Sequence, residues 1–230
     1  MSAPAVDHPR FSAVWSWLMR REPAALTQGR RMLLDGATGR VLEVGAGTGA
    51  NFAHYGPGVT EVVAVEPEAR LRLEARAAAQ DAARSGAAPR FVVADGTFED
   101  LPPEAVGAFD VVVCSLVLCS VPDVDAALRA AYDRLRPGGE LRYYEHVATD
   151  GALGVVQRAA DATVWPRAFG GCHTHRHAVA AIDRAGFERV RHRDVQVAPR
   201  WAPVPVSPMA LGVARRGDAG PAPSAAGPVV

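Results

Sequence analysis

VLEVGAGTGANF, Val41 to Phe52, is the stretch whose reading decides the fold. Val41, Leu42, Glu43 and Val44 read as a short buried strand. Gly45, Gly47 and Gly49 follow on alternate positions, and a helix is expected to start at Ala50. Glycine lets the backbone turn sharply and lets a ligand approach main-chain atoms with no Cβ in the way. A helix start adds unpaired N–H groups. Such a junction suits a nucleotide-like ligand. Gly45, Gly47 and Ala50 also satisfy the dinucleotide pattern G-x-G-x-x-G/A, and Glu66 follows about 20 residues on, where an acid meets a ribose.

Outward from this stretch the chain alternates strand and helix. Val59–Glu66, Arg90–Gly96 and Phe109–Leu118 read as apolar strands, and Glu68 to about Arg84 as a helix between the first two. Asp123 is placed to cap a helix running to Leu135, which Pro137, Gly138 and Gly139 turn into a further strand, ELRYYEHV. The Phe109–Leu118 run is continuously apolar, as in a strand buried on both faces. Alternation of this kind predicts an α/β fold with a Rossmann-like, doubly wound, mostly parallel sheet, and a ligand beyond the carboxyl ends of its strands. Glu66, Asp95, Ser115 and Glu145 all lie at such ends.

The flanks are less regular. The segment to His8 is expected to be disordered. Phe11, Val14, Trp15 and Leu18 fall on one face of a helix ended by Arg20 and Arg21, and Pro23 opens a second helix to about Leu34. That pair reads as a cap over the ligand site, residues 1–39, although a Trp-rich, Arg-ended helix also suits weak contact with a membrane surface. Residues 148–174 break the rhythm with Trp165, Phe169, Gly170, Gly171 and Cys172, and read as a substrate cap inserted in a domain spanning 40–216. Thr174 is expected to cap a helix to Ala185, followed by two more strands. Residues 217–230 are Gly, Pro, Ala and Ser apart from Asp218 and two final valines, and read as a disordered tail.

Composition narrows the setting. Basic and acidic residues number 25 each, so no broad attraction to nucleic acid is advertised. Every basic residue is Arg, which points to a GC-rich, bacterial coding source. Cys114, Cys119 and Cys172 make an odd count without paired metal spacing, as in a reducing cytoplasm. No apolar run reaches the ~20 residues a spanning helix needs, and the N-terminus carries no signal-peptide core.

The tighter match at the glycine stretch is E-x-G-x-G-x-G, with Glu43 two residues before Gly45. It resembles motif I of the class I methyltransferases that use S-adenosylmethionine. Asp95-Gly96 and LRPGGEL, Leu135–Leu141, resemble further landmarks of that family. FDVVVCSLVLCSV, LRPGGELRYYEHV and a later GGC resemble its small-molecule branch, near the ubiquinone/menaquinone-type enzymes and nearer the alkyl thiol methyltransferases. The resemblance implies a seven-stranded sheet with an antiparallel last strand. It implies cofactor contacts from Glu43, Gly45, Ala46, Gly47, Asn51, Glu66 and Pro67, from Asp95 and Gly96, and from Ser115. The competing readings are an NAD-dependent oxidoreductase, for which the chain after the fifth strand leaves too little room, and a non-catalytic S-adenosylmethionine-binding regulator.

Methyl transfer from a sulfonium needs geometry and exclusion of water more than a strong base. His146 and His173 are the candidate catalytic groups, and Trp15, Trp165 and Cys172 the candidate pocket for a small, partly apolar thiol, hydroxyl, carbon or amine acceptor. The alternating His173, His175 and His177 invite a metal reading, but a helix starting at Thr174 would splay them, and no metal is expected there. The sequence leaves the oligomeric state open.

Overall fold

The computed structural model describes residues 9–84, 86, 88–199 and 201–217. The expected disorder to His8 and almost all of the expected tail lie outside them. In chain order the elements are α1 (Pro9–Met19), α2 (Ala24–Leu34), β1 (Gly39–Val44), β2 (Val59–Val65), α3 (Ala69–Ala83), β3 (Arg90–Ala94), β4 (Phe109–Ser115), α4 (Val124–Arg134), β5 (Leu135–His146), α5 (Gly151–Asp161), α6 (Trp165–Ala168), α7 (Ala178–Arg184), β6 (Phe187–Gln196) and β7 (Pro208–Arg216).

The strands form one seven-stranded sheet in the order β3-β2-β1-β4-β5-β7-β6. β1 to β5 run parallel to one another, and β7 runs antiparallel to both β5 and β6. Helices cover both faces because the strands alternate between two apolar layers. Leu42, Val44, Val112 and Cys114 pack with Leu128 and Tyr132 of α4 and Ile182 of α7. Val41, Val62, Val111 and Val113 pack with Leu33 and Leu34 of α2 and Ala75 of α3. Each such fully buried aliphatic side chain contributes roughly 1.5–3 kcal/mol. The strand order reverses between β1 and β4, which puts the crevice for a ligand at their carboxyl ends.

Three local expectations are corrected. No α-helix starts at Ala50; the glycine loop runs into a single 3-10 turn, Phe52–His54, and Tyr55 is already extended. The sequence Gly56-Pro57-Gly58 then leads directly into β2. In α1 the buried side chains include Ser12 and Ser16, while Val14 and Leu18 are 54 and 38% exposed. The helix is turned by a bond from Ser16 Oγ to Glu74 Oε1 of α3 at 2.7 Å. Thr174 caps no helix. Its amide and hydroxyl both donate to Asp161 Oδ1, at 2.7 and 3.0 Å, so the half-buried carboxylate holds it in the loop and α7 begins only at Ala178. The 148–174 segment is itself largely helical, as α5 and α6. Among the described residues no helix is long and apolar enough to cross a membrane.

Candidate functional site

Directly after β1 the chain folds back on β2. The amides of Gly45 and Ala46 donate to Val65 O at 2.9 and 3.1 Å. Gly45 has φ +69° and Gly47 φ +57°, the left-handed region that costs a side-chain-bearing residue roughly 1–2 kcal/mol. The Gly47 amide donates to Glu66 Oε2 at 2.8 Å, and the Glu68 amide to Glu66 Oε1 at 2.9 Å. Glu66 is thus fixed at the end of β2 by backbone donors. It is buried, and loss of solvent raises its carboxyl pKa in spite of those bonds.

Beneath the loop lies a buried polar network. Asn51 Nδ2 donates to Glu43 Oε1 at 2.8 Å and Tyr55 Oη to Glu43 Oε2 at 2.6 Å. Arg30 of α2 donates from Nη1 to Asn51 Oδ1 at 3.0 Å and to Ser115 Oγ at 3.1 Å, and from Nε to Glu22 at 2.7 Å. Burial pushes the Glu43 carboxyl up and the Tyr55 phenol well up. Glu43, Asn51 and Ser115 are therefore brought together. On the outer side Arg72 joins Glu66 and Pro67, through their carbonyls, to Asp95. Asp95 itself is largely exposed, and Gly96 follows it out of β3.

The loop after β4 borders the other side of the crevice. Leu116 has φ +61°, a strain of ~1–3 kcal/mol for a non-glycine residue, which ends β4 earlier than its apolar run suggests. The loop is held from below. Leu116 N donates to Tyr144 O at 2.8 Å. Fully buried Glu145 accepts from the amides of Val117 and Leu118, both at 3.0 Å. From above, Arg176 Nη1 donates to the carbonyls of Leu118 and Val121 at 2.8 and 2.6 Å, and His173 N to Cys119 O at 2.8 Å.

The 148–174 segment is anchored by buried Gln157, whose Nε2 donates to the carbonyls of Val147, Thr174 and Pro205. Trp165 stacks on Phe169 at 4.2 Å between ring centroids, with a buried Nε1 that has no hydrogen-bond partner. Across the crevice, a Cβ on Gly47 would stand 3.5 Å from Trp15 Nε1, and one on Gly170 2.7 Å from the Phe11 ring. α1 therefore spans from the glycine loop to Gly170.

His146 and Cys172 meet at the end of β5, with Sγ and Nδ1 3.5 Å apart, and Cys119 completes a tight trio. The hydrogen bond between the two cysteines holds the Cys172 thiol below its ordinary range and, with burial, pushes Cys119 well above it. At His146 burial works against the charged form, and interactions with Cys119 and Glu145 outweigh it, so the pKa is raised. His173 stands apart in role: its ring pairs with Gly171 O at 2.8 Å and with Arg176. Sequence reading had no signal for Arg30, Arg72, Gln157 or Arg176, whose partners are distant in the chain. It did single out His146 and Cys172, but not that Cys119 joins them.

A profile of the methyltransferase domain family matches residues 18–192. The chain belongs to this family. Individual methyltransferases are also similar to the chain. Thiol S-methyltransferase TMT1A of Homo sapiens is 37% identical over 164 residues, covering 70% of this chain and 65% of the relative. Thiol S-methyltransferase TMT1B of Homo sapiens is 36% identical over 185 residues, covering 79 and 73%. The chain thus spans just under two thirds of the first relative's length. Among solved structures, the N-methyltransferase NodS of Bradyrhizobium japonicum, held in complex with S-adenosylhomocysteine, overlays with a TM-score of 0.60 at 18% identity, covering 83 and 84%. It shares the fold. The family match decides between the two readings of the glycine loop: this is a class I methyltransferase, an enzyme that uses S-adenosylmethionine.

Proposed function

We propose that this methyltransferase acts on the sulfur of a small, partly apolar thiol. The observation that carries the reading is the 36% identity with a thiol S-methyltransferase over 185 residues, 79% of this chain. The site suits the donor. The glycine face offers no Cβ at the point where the sheet order reverses, and a buried acid waits at the end of β2. When bound, the donor supplies an already electrophilic methyl group.

The chain's own residues then bind, orient and exclude water. Gly45, Ala46, Gly47 and Glu66 hold the methionine and ribose portion, Pro67, Asp95 and Gly96 the adenine end, and the backbone at Ser115 the side toward the acceptor. Glu43 works through Asn51 as a positioning residue. Trp15 from the N-terminal helices and Trp165 and Cys172 from the 148–174 cap close the acceptor side, which raises the share of near-attack geometries. A free thiol has a pKa near 8.5 and needs little help to become a thiolate; His146 stands where that help is given, while His173 positions the loop that carries Cys119. The free cysteines and lysine-free composition favour a reducing, bacterial cytoplasm.

Calorimetric titration with S-adenosylhomocysteine, followed on the same sample by a product assay over small thiols, phenols and quinols, tests the reading. Binding with thiols as the best acceptors is the expected result. A phenol or quinol turned over in preference to every thiol would overturn the acceptor assignment.

A further inference from the structure

Cys119, His146 and Cys172 come from three separate places: the loop after β4, the last residue of β5 and the turn after α6. Their two sulfurs and one ring nitrogen all lie within 4.8 Å of one another. The 3.5 Å between Cys172 Sγ and His146 Nδ1 matches the roughly 3.5 Å separating a sulfur and a nitrogen on one tetrahedral zinc, with bonds of about 2.3 and 2.0 Å. The donor set, two thiols and an imidazole with no carboxylate among them, is one that zinc favours over magnesium or calcium.

The three are also held in place by bonds other than those to each other. The Cys119 amide points at Glu145 Oε2, 3.4 Å away, and the Cys119 carbonyl accepts from His173 N. The Cys172 amide donates to Phe169 O at 3.0 Å. His146 is paired with Met209 across β5 and β7. Both cysteines are free and buried, and His146 is the partly exposed member.

We propose that Cys119, His146 and Cys172 are the three protein ligands of a zinc site whose fourth position takes the sulfur of the acceptor. The second half of this statement rests on the thiol reading above. Zinc displaces the proton of each cysteine to solvent as it binds. The acceptor thiol likewise gives its proton to solvent on reaching the metal and is held as a thiolate. Its sulfur forms the new carbon–sulfur bond to the methyl of S-adenosylmethionine. The sulfonium bond to that methyl breaks, and its electron pair returns to the donor sulfur. The product is a neutral thioether, a poorer ligand, and leaves. His146 then acts as a ligand and not as a proton acceptor.

The test uses the full chain, purified with its thiols reduced. Elemental analysis should find one zinc per chain. Cobalt(II) in its place should give a thiolate-to-metal absorption band, and a small alkyl thiol such as β-mercaptoethanol should shift that band. Cys119→Ser, Cys172→Ser and His146→Ala should each weaken zinc binding by at least about tenfold while S-adenosylhomocysteine still binds, which confirms that they fold. If a variant does not fold, removal of zinc from the wild-type chain by a chelator and its return give the same readout.

Absence of zinc and of any cobalt band, or a Cys119–Cys172 disulfide in the reduced-state preparation, overturns the site whether or not thiols are methylated. A cobalt band that a turned-over thiol leaves unmoved keeps the metal and overturns its contact with the acceptor. A bound metal in an enzyme that methylates only phenols supports the site and overturns the thiol reading.

Discussion

Val117 rests directly on Gly45: a Cβ added to that glycine would lie 2.5 Å from Val117 Cγ2. The loop after β4 and the loop after β1 are thereby packed together, the Val117 side chain lying against the bare Cα of Gly45. Gly45→Ala meets two penalties, the left-handed backbone at φ +69° and the collision with Val117. Together they should cost about 2–4 kcal/mol, read by urea denaturation, and S-adenosylhomocysteine should bind more weakly in calorimetry.

Glu66→Ala removes the acid at the end of β2 together with the acceptor for the Gly47 and Glu68 amides. Cofactor-product affinity should fall at least tenfold, the ~1.4 kcal/mol scale of a charge-assisted hydrogen bond. An unchanged dissociation constant would remove Glu66 from the binding site.

Arg30 ties α2 to the site through Asn51 and Ser115, with its side chain 6% exposed and that of its ion-pair partner Glu22 11%. Arg30→Met leaves Glu22 as a nearly buried, uncompensated carboxylate, and should destabilise the fold by about 3 kcal/mol. Adding Glu22→Gln should recover part of that loss. A double-mutant cycle with no coupling would mean that the pair does not hold α2 in place.

The pH dependence has a definite sign. Desolvation raises the buried Glu43 carboxyl above its ordinary 4.5, more than its bonds to Tyr55 and Asn51 lower it. A group raised in the folded state contributes stability that is complete below its unfolded value and is lost as the pH climbs through its folded value. Glu43→Gln cannot ionise. The stability difference, wild type minus variant, should therefore shrink from mild acid toward neutral pH when denaturation curves are measured side by side. A difference that grows with pH would contradict the raised pKa.

Much of the architecture could be read from the chain because it is written locally. Val41–Val44, Val59–Val65 and Phe109–Ser115 are apolar runs punctuated by glycine or an acid, and they became parallel strands in that order. The ends were less legible. β4 stops at Ser115 because Leu116 takes a positive φ, which Glu145 and the Tyr144 carbonyl support from the neighbouring strand. The helix expected at Ala50 is a short turn, since Gly56, Pro57 and Gly58 bring the chain into β2 too soon for one to grow. On α1 the apolar spacing of Val14 and Leu18 pointed to the wrong face, because the decisive partner, Glu74, lies 58 residues away.

The same limit applied to the candidate site. Cys119, His146 and Cys172 show no motif spacing; they meet because β4 and β5 are neighbours and Arg176 brings the segment after α6 back over their ends. Arg30 looked like one charge among many on an amphipathic helix until its three partners were in place.

The position of β7 bears on how the chain is made. This last strand lies inside the sheet, between β5 and β6, with Ala210 and Ala214 fully buried. A nascent chain leaving the ribosome can pair β1 to β5 as they emerge, but β6 has no partner until residues 208–216 follow it. The open edge of β5 and the apolar layer beside it stay bare until then, the interval in which such a chain is most exposed to wrong association. Synthesis halted before Pro208 would leave five paired strands and a stranded sixth, a species fit for a chaperone or a protease and not for catalysis.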